Sequence, residues 1–206
     1  TNVLFSILCI NYYLSLRKFK HLYALQMRLF ILLTGLSAIF GAIAHGVHYQ
    51  LGCVFFSIVF FFMNTLNIFS IYYCFRAPLT YCYRGEEMSR KYLYVAFVWV
   101  AALIIYSILN GNFLVIKLHA GLALLFSLVV HYKAYRENNE VGSRLIVIGI
   151  TISFGAIIVH SLKFSLHDWF NYKDASHLIM IISLMVIYKG IKQNVLNLDS
   201  RKLALA

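Results

Sequence analysis

Runs of about 20 mostly apolar residues recur along this chain with only short polar breaks between them, and that length matches the hydrocarbon thickness a helix must cross. They lie at about 1–16, 22–49, 51–75, 91–110, 113–132, 144–166 and 175–190. Backbone groups in hydrocarbon need partners within their own segment, and the two-residue alternation of a membrane barrel is absent from stretches such as Val54 to Phe62. The pattern therefore predicts an all-α membrane protein: a seven-transmembrane helix bundle over residues 1–206, forming one domain. With 62% hydrophobic and only 12% charged residues, the chain is neither a disordered segment, nor a secreted disulfide scaffold, nor a water-soluble enzyme. The four cysteines are scattered, with no CxxC spacing, and say nothing of redox compartment.

Charge sets the orientation. The net +11 would suggest nucleic acid in a soluble protein, but the lysines and arginines sort by alternate loops. All of them fall on one side except Lys117, Lys163 and Lys173. This excess places the amino terminus outside and the carboxyl tail in the cytoplasm. The charge then serves orientation and contact with anionic lipid headgroups, and no nucleic-acid partner is expected. The first run is only about 24 Å long as a helix, and the chain starts at Thr1 without a methionine, so further residues are expected upstream. No signal peptide is visible. Arg76-Ala77-Pro78 is expected to end the third span, and Gly85-Glu86-Glu87 to belong to the longest cytoplasmic loop. Asn110-Gly111-Asn112 reads as a tight outer turn.

The histidines are sorted by depth. His45 and His160 lie about one turn from the outward ends of spans two and six, and His119 and His177 one to two turns into spans five and seven. Four helices thus bring an imidazole to one shallow layer, roughly 5 to 8 Å below the outer surface. Ionisable side chains at such depth usually face the bundle interior or a water-filled cavity. Imidazole is a common zinc ligand, and a catalytic zinc takes three protein ligands and a water. Asn171, Asp174 and His177 follow at i, i+3, i+6 on one face of span seven, where Asp174 can orient a ring or take a proton from water. The competing readings are a metal-free proton relay, or packed and interfacial histidines. His48, His167 and Asp168 read as solvated loop residues.

A short echo, Phe40-Gly41-Ala42-Ile43 against Phe154-Gly155-Ala156-Ile157, each followed by a histidine, fits duplicated parallel repeats. Equally, Gly41 and Gly155 fit simple close packing of helices.

Seven spans, with Gly41-Ala42-Ile43-Ala44-His45 ending the second and Asp174-Ala175-Ser176-His177-Leu178 opening the seventh, resemble the membrane hydrolase superfamily of alkaline ceramidases and adiponectin-type receptors. The resemblance implies zinc held by second- and seventh-helix histidines and cleavage of a lipid amide. Here it carries over His45 and His177 as ligands. The family's second-helix serine is replaced by Gly41, with Ser37 one turn away, and Lys173 stands where its other seventh-helix histidine would be. His160 is then the expected third ligand, with His119 behind it.

The leading expectation is a zinc-dependent hydrolase of a lipid amide or ester, working from the outer face. His45, His160 and His177 would bind zinc, Asp174 would act as base, and Ser37 or Ser161 would stabilise the oxyanion. Membrane lipids are the expected partners and the substrate. The alternatives are a histidine-lined transporter, a haem protein using His45 and His160 as axial ligands, or a non-catalytic subunit of a membrane complex. No GxSxG elbow, HExxH helix, phosphate loop or dinucleotide fingerprint is present. Lys189, at the cytoplasmic end, is misplaced to hold retinal.

Overall fold

The computed structural model describes residues 1–46, 52–82, 86–110, 113–165, 167 and 169–203. Within them the chain forms α1 (Asn2–Leu16), α2 (Leu22–Gly46), α3 (Gly52–Cys82), α4 (Glu86–Asn110), α5 (Phe113–Asn138), α6 (Val141–Ser161) and α7 (Tyr172–Leu203). No strand forms among the described residues; a single bridge pairs His167 with Phe170. α2 to α7 are long and apolar enough to cross a membrane, whereas α1 is a shorter apolar helix. The protein is a multi-pass helical membrane protein.

Two compact units make up the chain. One runs over Asn2–Ser127 and the other comprises Thr1 with Leu128–Ala206, so α5 gives its first half to one and its second half to the other. In the first unit, α1 packs on α2, α2 on α3, and α3 on α4. Gly35 lets α1 approach, because a Cβ there would sit 2.5 Å from Cys9 Cβ. Lipid tails are as apolar as leucine, so hydroxyls contribute to helix association by bonding across it. Ser37 Oγ donates to the Met63 carbonyl at 2.9 Å, and Ser70 Oγ to the Phe30 carbonyl at 2.9 Å. Ile68 and Ile71 of α3, Val100 and Leu103 of α4, and Ile116 and Ala123 of α5 form the buried apolar core of this unit.

The third helix does not stop at Pro78. It runs on to Cys82. Proline removes one hydrogen bond to the carbonyl four residues back, yet Leu79 and Tyr81 beyond it are buried, and Tyr81 packs on Tyr23 of α2 with ring centroids 4.8 Å apart. Tertiary packing outweighs the missing bond. Glu86 and Glu87, expected in a loop, begin α4; the expected outer turn at Gly111 and Asn112 lies outside the described residues, as do 83–85.

In the second unit, α6 and α7 pack backbone to backbone. A Cβ on Gly190 would lie 2.6 Å from the Gly142 carbonyl oxygen and 2.9 Å from Ile146 N, and one on Gly149 would lie 3.0 Å from Ile187 N. Ser183 Oγ reinforces the seam by donating to the Gly149 carbonyl at 2.7 Å. The glycines singled out by the sequence echo behave differently. A Cβ on Gly41 would meet Met63 Sδ at 3.5 Å and one on Gly155 would meet Ile179 Cγ2 at 3.9 Å, both ordinary contacts. Close packing therefore requires neither.

Short motifs set the ends of the second unit's helices. Asn139 (φ 51°) closes α5, with its N–H on the Tyr135 carbonyl at 2.9 Å. Lys163 (φ 52°) closes α6, where Phe164 N–H reaches back to the Val159 carbonyl at 3.2 Å. Both stand in the left-handed position where helices commonly end, usually on glycine and sometimes asparagine. Asn171 opens α7, its Oδ1 accepting from Lys173 N at 2.9 Å, which satisfies one of the first-turn donors.

Candidate functional site

The end of α6 and the start of α7 bring several of the expected site residues to one edge of the second unit. His160 and Ser161 occupy the last turn of α6; Asp174 and His177 occupy the first two turns of α7. Asp174 also lies where a carboxylate is favoured by the positive end of the helix dipole. The hydroxyl of Thr1 donates to Asp174 Oδ1 at 3.0 Å, and the same oxygen is 3.3 Å from His177 Nδ1. With its one hydrogen directed at the carboxylate, that oxygen accepts from Nδ1, which makes Nε2 the basic nitrogen of the ring. His160 packs edge-on against Tyr172, ring centroids 5.2 Å apart at 78°. Asp174 and His177 therefore meet at one oxygen, while His160 packs on the ring of Tyr172.

Asn171 has a different task from the one its spacing suggested: its side chain caps the helix rather than orienting His177. Between the helices, Trp169 N–H donates to His167 Nδ1 at 3.3 Å, and the Trp169 side chain is 90% exposed. His167 is itself exposed. Asp168 and His48 lie outside the described residues.

The remaining expected residues belong to the first unit. His45 is in the last turn of α2, and its side chain lies outside the described residues. Ser37 is buried with its hydrogen on Met63, so that proton serves the contact between α2 and α3. His119 is buried as well, and Trp99 Nε1–H of α4 donates to its Nδ1 at 3.1 Å. Among the described residues, no three His, Cys, Asp or Glu side chains lie together as a metal site would need.

A family profile matches residues 1–195. The chain belongs to DUF6962, a family of unknown function. No curated protein and no solved structure matches it.

At the opposite end of α6, this DUF6962 chain holds a polar cluster that the sequence reading passed over. His131 of α5 is wholly buried, its Nδ1 lies 3.3 Å from Ser143 Oγ, and Ser143 Oγ donates to Glu140 Oε2 at 3.0 Å. Asn194 of α7 donates to the same hydroxyl at 3.4 Å. One serine thus ties three helices together. The signal was there in Glu140, a carboxylate set directly against an apolar run, and in Ser143, one turn further on.

Proposed function

We propose that this chain spans the membrane seven times, α1 included, with its amino terminus outside and its carboxyl tail in the cytoplasm. We further propose that the outward ends of α6 and α7 hydrolyse the amide or ester of a membrane lipid. The observation that carries the reading is the convergence of Asp174 and His177 on the Thr1 hydroxyl oxygen. A hydroxyl held between a carboxylate and an imidazole stands where a water would be held for deprotonation.

In the reaction, Asp174 takes the proton of a water whose oxygen His177 Nδ1–H holds, as that oxygen bonds to the lipid carbonyl carbon. The carbon–nitrogen or carbon–oxygen bond then breaks, and the proton passes to the leaving amine or alcohol. Ser161, next to His160, is the proposed donor to the carbonyl oxygen. A lipid substrate suits the location, since His177 is about 8 Å along α7 from its start, a headgroup-level depth in the proposed topology.

The test uses purified full-length protein in nanodiscs containing ceramide or diacylglycerol, with released fatty acid read by mass spectrometry. Release that falls about 100-fold or more in both Asp174→Asn and His177→Ala supports the reading. Release unchanged in these variants, or no release from either lipid class, overturns it. Elemental analysis of the same samples separates a zinc-dependent form, with His160 and His177 among the ligands, from general-base hydrolysis without metal. About one zinc per chain in wild type, lost in His177→Ala, marks the former.

The buried His131–Ser143–Glu140 chain favours a second reading, a proton-relaying transporter. Its mark is pH-driven flux in liposomes that His131→Phe abolishes. Flux equal to that of empty liposomes removes it.

A further inference from the structure

The first unit holds a cavity of about 750 Å³ between α3 and α4, with no charged side chain among the residues that line it. Its wall on α3 runs from Cys53 and Ser57 through Phe60 and Phe61 to Asn64, at the four- and three-residue steps of one helix face. From Cys53 to Asn64 the rise is about 17 Å, roughly half the thickness of a bilayer's hydrocarbon core. Asn64 is 1% exposed and, with Ser107 beside it, forms the inner polar end of a mainly aromatic and aliphatic cleft. Its Nδ2 donates to Ser107 Oγ of α4 at 3.4 Å, but its Oδ1 has no hydrogen-bond partner among the described residues.

A buried amide oxygen without a donor is uncommon in folded proteins, because nothing in the surroundings replaces the water it gave up. Here Asn64 is among the residues that line a cavity with room for a small molecule. We infer that the α3–α4 cleft binds an uncharged, long-chain or sterol-like alcohol, whose hydroxyl donates to Asn64 Oδ1 while its apolar body lies along Phe60 and Phe61. A phospholipid headgroup is a poor occupant, since the lining offers no counter-charge at that depth. A plain hydrocarbon fits the walls but leaves the amide oxygen unsatisfied. The site is separate from the Asp174–His177 pair and does not depend on the hydrolytic reading.

The experiment uses the full-length protein in detergent micelles with a photoreactive, alkyne-tagged sixteen-carbon alcohol as the probe. The label is expected on peptides covering 53–64 and 107–108. Unlabelled 1-hexadecanol should displace it at least about tenfold more effectively than hexadecyl methyl ether, which has the same body but no hydrogen to donate. Asn64→Leu should reduce that preference to less than about twofold. Val54 lines the mouth of the cleft and is well exposed, so Val54→Trp should block labelling without disturbing the fold, as checked by monodisperse elution. The inference is overturned if the ether competes as well as the alcohol in the wild type, if the label lands on other helices, or if Val54→Trp labels like the wild type. The competition arm needs no variant, so a poorly folding Asn64→Leu protein leaves the test intact.

Discussion

Placing one methyl group in the α6–α7 seam, by Gly190→Ala, tests whether the two backbones touch. Its Cβ would stand 2.6 Å from the Gly142 carbonyl oxygen, 2.7 Å from Ile146 Cγ1 and 2.9 Å from Ile146 N. These are roughly 1 Å inside ordinary contact. Two of the three atoms are backbone and cannot rotate aside, so the helices must separate. Overpacking of this kind costs about 1–3 kcal/mol. Alanine returns about 1 kcal/mol of helix propensity relative to glycine, so the net loss is at most about 2 kcal/mol. Gly121 in α5 is the control, since a Cβ there meets nothing within 4 Å. Gly121→Ala keeps the propensity gain, about 1 kcal/mol, without the clash. At about 2–4 °C per kcal/mol for a chain of this size, Gly190→Ala should melt up to about 8 °C lower than wild type and Gly121→Ala about 2–4 °C higher. Tryptophan fluorescence during heating in one detergent reads both. If Gly190→Ala melts at or above the Gly121→Ala protein, the backbone contact is not the one described.

Further perturbations probe other parts of the chain. Ser143→Ala removes the hydroxyl shared by His131, Glu140 and Asn194, and the same melting assay should register a loss of about 1–3 kcal/mol. Lys163→Gly relieves a left-handed side chain at the end of α6, for a gain of about 1 kcal/mol; an unchanged melting temperature counts against that cap. Trp99→Phe deletes the donor to His119 and should lower stability by about 1 kcal/mol, with no loss if the bond is absent. A tag on the carboxyl terminus should be cleaved only after the membrane is permeabilised; cleavage on intact cells contradicts the proposed orientation.

Hydrophobic runs fixed where the helices lie, because a bilayer leaves the backbone few choices. Their ends were harder to read. Pro78 is a helix breaker by local rules, but the burial of Leu79 and Tyr81 against other parts of the first unit carries α3 past it. Glycine was similarly ambiguous in isolation. Nothing local to Gly41 or Gly155 separates them from Gly142, Gly149 and Gly190; only the facing helix does. The placement of Asp174 and His177 on one face of α7 followed from helical spacing. Their meeting at the Thr1 hydroxyl, more than 170 positions away in sequence, could not be read from spacing. The His131 cluster was hidden for the same reason: its members lie on three helices.

Trp169, almost wholly uncovered on the connection between α6 and α7, is a depth gauge in the proposed topology. An indole settles where acyl chains give way to glycerol and headgroups, and Asp174 and His177 follow it by only five and eight positions. In the proposed topology their height is thereby set at that frontier. In a thicker or thinner bilayer the mismatch should be absorbed by tilting or at the far ends of these two helices, leaving the carboxylate and imidazole level with the same stratum of lipid.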